Sequence, residues 1–408
     1  MRFDRRLSTF AFLNLGHAYD HLFILLYPTV VLALGDVFQA SYGELLALSV
    51  YGFIAFGAGA LPAGWLGDRW SRRGMMIVFF VGIGLASILT GLARSTVDIA
   101  VGLGLVGLFA SIYHPVGIAM VAETDPARVG KALGLNGVFG NLGVAFAGVT
   151  AGALTDMISW RAAFIVPGVV AVATGLVFAL GTAGAGERRW GSAAVAAPGV
   201  APGTVRRIFA VLVMATLCGG VIFNATTISL PKVFDDRLSD LAGTTMGIGG
   251  LVTGVFMVAA VAQIVVGHLI DRYPLKRVFV GVAMLQVPMM TLAVFASDYA
   301  MLAVATGVML LVFSAIPIYD TIIARYAAGH WRSRIYALKY TVGLGVSAGT
   351  VPLIAWVRDE TGGFGAVFWI LAALAVGVVV SALAFPSVAR PGTGGLGRRA
   401  DPVPARLP

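Results

Sequence analysis

One short polar motif occurs twice in this sequence. Residues 64–73 read GWLGDRWSRR and residues 267–277 read GHLIDRYPLKR, so both fit G-x-L-x-D-R followed by a basic pair. An acid and several bases in a tight loop can hold neighbouring helix ends through charge-assisted hydrogen bonds, which break and reform when those ends move. Either copy alone would also fit simple anchoring by positive charge at a membrane surface, whereas two copies at equivalent places predict two related halves. The residues expected to act in conformational gating are Gly64, Asp68, Arg69, Arg72 and Arg73 in the first copy and Gly267, Asp271, Arg272 and Arg277 in the second.

The rest of the chain is dominated by apolar residues. They make up 59% of the 408 positions, charged residues make up 12%, and the mean hydropathy is +0.92. A soluble protein needs more charge to cover its surface, and a membrane-crossing helix needs about 20 mostly apolar residues. The sequence therefore predicts an all-α polytopic membrane protein of about twelve transmembrane helices in two pseudo-symmetric six-helix halves. The predicted spans are 9–34, 44–66, 75–93, 98–122, 131–154, 160–181, 207–233, 244–270, 276–296, 299–325, 334–357 and 364–386.

Composition changes at two places between and after these spans. A charged stretch at Glu187–Arg189 is followed by an Ala/Pro/Gly-rich run, residues 193–203, which is typical of a linker. The residues after Pro386 are rich in proline, glycine and arginine, which favours disorder. We predict an N-terminal half over 1–181, a cytoplasmic linker over 182–206, a C-terminal half over 207–386 and a disordered cytoplasmic tail over 387–408.

The basic residues are distributed unevenly between the two sets of loops. With the N-terminus inside, 22 of the 28 Lys and Arg residues fall in inside segments and five in outside loops. Positive charge of cytoplasmic loops sets orientation, so both termini are predicted to be cytoplasmic in a bacterial-type inner membrane. The same distribution assigns the net charge of +9 to the membrane surface and argues against a nucleic-acid partner. The single cysteine, Cys218, excludes an internal disulfide and a Cys-based metal site.

The repeated motif, the twelve spans and the central linker together resemble the major facilitator superfamily over the whole chain. Ser71 stands where the family usually has glycine, and Leu103 occupies the place of an arginine often found early in the fourth span. The fifth span is similar to the glycine-rich motif of the proton-antiporter branch, although it lacks the Gly-Pro pair of that motif. Its glycines are Gly140, Gly143, Gly148 and Gly152.

Three shorter stretches resemble the fosmidomycin-resistance group of these facilitators. They are GHAYDH at residues 16–21, SIYHP at 111–115 and NGVFGNLG at 136–143. The resemblance implies a secondary active transporter that moves a small polar compound by alternating access, with proton-coupled efflux as the expected direction. It implies protons, a small-molecule substrate and the lipid bilayer as partners, no cofactor, and a monomer as sufficient.

Three ionisable residues lie together in the first span. The spacing of His17, Asp20 and His21 puts them near one face of a helix. Ionisable side chains within a span are costly unless they face protein or water, and they are functional by default. A carboxylate beside two imidazoles can exchange protons near neutral pH, so we predict a proton-coupling site here. The alternative is a polar patch that only holds the first helix to its neighbours.

Other polar residues within spans are candidates for the substrate cavity. His114 precedes Pro115, whose expected kink could aim the imidazole into a cavity or towards a freed carbonyl. Lys339 could snorkel to the cytoplasmic surface, attract an anion or pair with Asp320. Three asparagines could contact substrate or hold helices together. The predicted cavity residues are His114, Asn136, Asn141, Asn224, Asp320 and Lys339.

Two other functions remain open. The chain has no G-x-x-x-x-G-K-[ST] motif, which argues against ATP hydrolysis. The stretch from His17 to His21 resembles an inverted zinc-peptidase motif with Asp in place of Glu, and His114 is the obvious third ligand. The paired loops nevertheless favour a transporter over an enzyme, with no resident metal. A divalent-cation or nutrient uptake facilitator of the same fold is the alternative.

Overall fold

The fold comes from a computed structural model that describes residues 5–124, 129–183, 201–238, 241, 243–326 and 329–387. Most of the predicted linker and nearly all of the predicted tail lie outside these residues. Within the described ranges the chain forms twelve long helical segments and no strand, which confirms the predicted all-α fold. The helices are α1 (Arg5–Val30), α2 (Tyr42–Arg69), α3 (Arg72–Gly91), α4 (Thr96–Thr124), α5 (Val129–Met157), α6 (Ala162–Gly181), α7 (Pro202–Arg237), α8 (Thr245–Arg272), α9 (Leu275–Phe295), α10 (Asp298–Tyr326), α11 (Gly329–Thr361) and α12 (Gly365–Ala384).

Ten of these helices are long and apolar enough to cross a membrane, as judged by length and composition in the described part of the chain. The other two are α1 and α11. They carry ionisable residues that the sequence marks as functional: His17, Asp20 and His21 in α1, and Lys339 in α11.

Polar side chains fix where several helices begin. Ser95 and Asp98 form a capping box at the start of α4, and the Ser71 hydroxyl accepts a hydrogen bond of 2.9 Å from the Gly74 amide at the start of α3. These side chains satisfy backbone N–H groups that have no partner within the helix. Helix α7 begins at Pro202, before the predicted boundary at residue 207, because proline fits the first turn of a helix.

Helix α4 is interrupted where the sequence predicts a kink. Residues Tyr113–Gly117 form a π-helical turn around Pro115. Proline has no N–H to donate to the preceding turn, and the wider turn accommodates the missing bond. The interruption lies in the middle of the span, beside α1, and it carries His114 at its start.

The two six-helix halves repeat the same helix pairings, which confirms their predicted pseudo-symmetry. In the first half α1 packs on α5, α2 on α4 and α3 on α6; in the second half α7 packs on α11, α8 on α10 and α9 on α12. Each half has its own core of buried aromatic and aliphatic side chains. The boundaries 1–181 and 207–386 of the two halves remain a prediction.

Two seams join the halves. The pseudo-symmetry that superposes one half on the other also superposes one seam on the other. One is formed by α5 and α8, and the other by α11 and α2. We call the end of the bundle with the two G-x-L-x-D-R loops the motif end, and the opposite end the far end.

The backbones of α5 and α8 approach most closely towards the far end. A Cβ atom on Gly249 would lie 2.2 Å from the Gly148 carbonyl oxygen, and one on Gly152 would lie 2.3 Å from the Thr245 carbonyl oxygen. Towards the motif end, Cβ atoms on Gly137 and Gly267 would meet no described atom within 4 Å. The closest described backbone approaches along this seam therefore lie at the far end.

Candidate functional site

The predicted residues of α1 converge with His114 of α4. Asp20 is completely buried, and its Oδ2 lies 3.2 Å from the His114 Nε2. Among the described residues, neither oxygen of Asp20 has a hydrogen-bond donor in good geometry. The sequence placed His114 with the substrate cavity, whereas the structure brings it to the predicted proton site. We call His17, Asp20, His21 and His114 the His/Asp cluster.

The three imidazoles of this cluster contact one another. Ring centres of His17 and His21 are 5.0 Å apart, and His114 lies 5.4 Å from His17 and 5.6 Å from His21. One ring nitrogen from each histidine lies within 4.8 Å of the others. Asp20 thus has one imidazole in direct contact, and that imidazole in turn contacts the other two.

A buried hydrogen-bond network holds this cluster in place. The His17 Nδ1 lies 2.8 Å from the carbonyl oxygen of Asn136 in α5. The Asn136 amide donates to the Asn14 Oδ1 at 3.0 Å and to the Tyr113 hydroxyl at 2.8 Å, and that hydroxyl donates to the Leu13 carbonyl oxygen at 2.7 Å. Asn136 therefore joins α1, α4 and α5. Its predicted contact with substrate remains a prediction.

Two glycines of α5 give the cluster its space. A Cβ atom on Gly143 would lie 2.1 Å from the Ala18 carbonyl oxygen, and one on Gly140 would lie 2.7 Å from the His17 imidazole. Because backbone atoms cannot move aside as a side-chain end can, α1 and α5 reach this distance only with glycine at position 143. These glycines serve close helix contact.

The second half supplies an ion pair that faces the cluster. Lys339 of α11 pairs with Asp320 of α10, which confirms one of the predicted arrangements of these two residues. Their side chains are 16% and 37% exposed, so the pair is partly open. Lys339 is also near enough to His114 for its charge to act on that imidazole across the two halves. Charged groups of both halves therefore meet near the middle of the bundle.

The other two predicted cavity residues bond to protein groups. Asn141 and Gln263 exchange two amide hydrogen bonds, of 3.2 and 3.3 Å, across the α5–α8 seam. The Asn224 amide donates to the Gly220 carbonyl oxygen of its own helix at 2.8 Å. Both side chains are partly buried, and their contact with substrate remains a prediction.

The first copy of the repeated motif forms a network within its own half. Arg72 pairs with Asp68 at 2.7 Å and also with Glu123 at the end of α4. Arg73 donates to the Thr182 hydroxyl at 2.7 Å, and Arg69 lies 5.5 Å above the Trp65 ring. Gly64 lets α2 approach Pro115, since a Cβ atom there would lie 3.2 Å from the proline Cβ.

The second copy forms a longer ion pair among the described residues. Asp271 lies 4.0 Å from Arg325 of α10, and Arg325 also reaches the Ile270 carbonyl oxygen at 3.5 Å. Arg272 and Arg277 are exposed. Sequence reasoning missed Glu123, whose only signal was an acid at the end of the fourth span, and it interpreted Arg325 only as the end of the tenth.

A family model of the Major Facilitator Superfamily matches residues 16–260, which is more than half of the chain. The chain belongs to this superfamily. The family and fold are those of transporters, and the motif loops, the helix pairings and the two seams are features of this facilitator's two-half architecture.

Two curated relatives of this facilitator are resistance proteins of Streptomyces. The puromycin resistance protein pur8 of Streptomyces alboniger is 34% identical over 110 residues, which is 26% of this chain and 22% of that protein. The tetracenomycin C resistance and export protein of Streptomyces glaucescens is 31% identical over 150 residues, 36% of this chain and 26% of that protein. The matches thus span about a quarter of the length of these relatives.

Solved facilitator structures share the fold over nearly the whole chain. A bacterial homologue of the human lysosomal transporter Spinster, in an inward-facing and occupied conformation, superposes with a TM-score of 0.74 at 13% identity, over 94% of this chain and 97% of that one. The D-xylose–proton symporter superposes with a TM-score of 0.73 at 16% identity, over 94% and 98%. At these identities the likeness concerns the fold alone.

Proposed function

We propose that this facilitator exports a small organic compound across the bacterial inner membrane by alternating access, in exchange for protons. The observation that carries the proposal is the fully buried Asp20, in contact with His114 and opposite the Lys339–Asp320 pair of the other half. The printed roles of the two Streptomyces relatives, resistance and export, support the outward direction. Membership of the fosmidomycin-resistance group remains a prediction.

The arrangement of the halves supports alternating access. The excess of basic residues in the loops assigns the motif end and both termini to the cytoplasm. With that orientation, the far end, where the halves are closely packed and hydrogen-bonded, is extracellular, which supports an inward-facing molecule. An exporter in this state offers its central site to cytoplasmic substrate, and a single chain suffices for the cycle.

Proton coupling is argued from the surroundings of Asp20. A carboxylate buried in apolar surroundings is costly unless it is paired, hydrogen-bonded or protonated. The titratable groups around it are His17 and His21 on its own helix and His114 and Tyr113 on α4, with Lys339 of α11 beyond. Such a cluster can accept and release one proton, and its charge changes by one each time within a site that is enclosed by protein. Because Lys339 belongs to the other half, movement of the halves changes the charge that this proton experiences.

Export is tested first by resistance and accumulation. The chain is expressed in a susceptible host that lacks its own exporters, and the host is challenged with a panel of small compounds that begins with puromycin and tetracenomycin C. We expect protection against at least one compound, together with lower intracellular accumulation of it. Absence of protection across the panel, with the protein present in the membrane, would argue against export.

Proton coupling is tested in everted vesicles with a compound from that panel. Addition of the compound to vesicles with an acidic interior should release part of the pH gradient, since each compound that enters is exchanged for protons. Asp20→Asn should abolish this release and leave substrate exchange at equal pH partly intact. Asp36→Asn, at an exposed acid outside the cluster, is the matched control and should behave as wild type. Gradient-driven transport by Asp20→Asn would show that Asp20 is structural.

The three imidazole nitrogens also support a second candidate function, the transport of a divalent metal cation. Imidazole suits zinc, copper and nickel ions, and nitrogens within 4.8 Å of one another would need to contract to bind one at about 2.0–2.1 Å. A facilitator that moves such a cation would contain it after purification and would take up radioactive zinc or nickel in vesicles. Uptake that Asp20→Asn and His21→Ala both abolish would favour this function over proton exchange.

A further inference from the structure

Two acidic residues bridge the halves at the far end, one at each seam. Asp156, at the end of α5, accepts a hydrogen bond of 2.5 Å from the Met246 backbone amide in the first turn of α8. Asp359, at the end of α11, accepts a hydrogen bond of 3.2 Å from the hydroxyl of Ser41, the residue that caps α2. Helices α5 and α11 occupy equivalent places in the two halves, and so do α8 and α2. The two contacts are therefore related by the pseudo-symmetry of the halves.

The contact between Asp359 and Ser41 requires glycine at position 43. A Cβ atom on Gly43 would lie 1.9 Å from the Asp359 Oδ2. Any larger residue at position 43 would therefore displace the carboxylate from Ser41. Gly43 is buried and its φ is unremarkable, so its requirement comes from close approach and not from backbone conformation.

Charges of the second half surround the same place. The Tyr42 ring of α2 lies 5.0 Å from the Arg358 guanidinium and 5.8 Å from the Lys232 ammonium. Arg358 pairs with Asp236 at 3.4 Å, and Lys232 pairs with the same carboxylate at 2.9 Å. Tyr42 of the first half thus sits against two cations of the second, and opening this end must separate them.

We propose that Asp156 and Asp359 are a symmetry-related pair of carboxylate clasps that stabilise the inward-facing state of this facilitator. Each clasp joins the last residues of a helix in one half to the start of a helix in the other. An anion at the first turn of a helix is favourable because the N–H groups there lack partners. The clasps break when the far end opens and reform when it closes, so they set the fraction of molecules that is outward-facing. This assignment rests on the proposed orientation.

The clasps are tested by labelling of a buried cysteine, without substrate or a proton gradient, so that export itself plays no part. The background is Cys218→Ala, which removes the single native cysteine. The reporter is Leu46→Cys, because Leu46 of α2 is fully buried against the core of the other half and a smaller side chain does not wedge the seam open. A membrane-impermeant maleimide is applied to right-side-out and to everted vesicles.

Asp156→Asn and Asp359→Asn should each raise the labelling rate in right-side-out vesicles about two- to fivefold, and together by the product of the two factors. Asp36→Asn, which removes an exposed acid from the same end, should leave the rate unchanged. Unchanged labelling in the double variant would overturn the clasps. An increase in everted vesicles alone would instead overturn the proposed orientation.

A mutant cycle separates this role from a general loss of structure. Gly43→Ala should raise labelling as Asp359→Ala does, since the new methyl group displaces the carboxylate. In the Asp359→Ala background, where the carboxylate is gone, Gly43→Ala should add nothing. Additive effects of the two substitutions would show that Gly43 acts through another contact and would contradict the clasp at this seam.

Discussion

The two copies of the G-x-L-x-D-R motif have similar sequences but different surroundings. In the first copy Arg72 joins Asp68 and Glu123, so the loop is tied to the ends of α2 and α4. In the second copy Asp271 lies 4.0 Å from Arg325. Among the described residues, the acids at equivalent places therefore form ion pairs of different length, 2.7 Å in the first half and 4.0 Å in the second.

The polar interior of the bundle differs between the halves in the same sense. The first half encloses the His/Asp cluster with a fully buried carboxylate, whereas the second half has the partly exposed Lys339–Asp320 pair. The two halves thus differ in the exposure of their ionisable groups. The first half encloses its carboxylate completely, and the second half places a more open ion pair beside it.

The largest effect is expected at the scaffold of the first half. Asn136→Ala removes the amide that bonds Asn14 and Tyr113, and leaving buried polar partners unsatisfied costs about 1–3 kcal/mol. Asn224→Ala removes only a bond within one turn of α7 and should cost about 0.5 kcal/mol or less. Thermal unfolding in detergent measures both. Equal shifts in Tm would remove the contrast between the halves.

The next effect concerns the ion pair of the second half. Asp320→Asn or Lys339→Gln alone leaves a charge without its ionic partner near the middle of the bundle, and transport should fall about tenfold. The double variant removes both charges and should recover part of the rate. Initial rates in proteoliposomes measure this, and a double variant slower than either single one would show that the charges act separately.

Sequence spacing was sufficient to find the ionisable face of α1, the kink at Pro115 and the possible Lys339–Asp320 pair. It was insufficient to place His114, because a contact between α1 and α4 depends on how closely the helices approach. That approach is set by Gly143 against the Ala18 backbone and by Asn136, both in a third helix. Glu123 was missed for the same reason, since its partner Arg72 comes from another helix end.

A smaller effect is expected when the two motif copies are compared directly. Asp68→Asn keeps the shape of the side chain but loses the charge that holds Arg72, and transport should fall about two- to fivefold with normal membrane insertion. Asp271→Asn should stay within about twofold of wild type, since its ion pair with Arg325 is longer and its side chain is exposed to solvent. Parallel proteoliposome assays at matched protein content decide this. Equal impairment by both variants would show that Asp271 forms an equally close ion pair in another conformation of the transport cycle.

The smallest effect is expected from adding one methyl group to each motif. Gly64→Ala places a Cβ atom 3.2 Å from Pro115, so a slight shift between α2 and α4 and a modest loss of rate are expected. Gly267→Ala meets no described atom within 4 Å and should be neutral for folding. Comparison of Tm and initial rate for the two variants checks this. A stronger effect of Gly267→Ala on rate alone would indicate that this surface closes during transport.

The length of helix α7 has a mechanical consequence. Its 36 residues extend about 54 Å, well beyond the roughly 30 Å of the hydrocarbon core. It begins at Pro202, within the predicted linker, and its last turns carry Lys232, which lies beside Tyr42, and Asp236, which pairs with Lys232 and Arg358. Under the proposed orientation, one continuous helix connects the cytoplasmic surface to the extracellular end of the bundle. An antibody fragment bound to the linker is therefore expected to shift this helix and to alter the contacts at the far end. This effect would not depend on changes at the transport site.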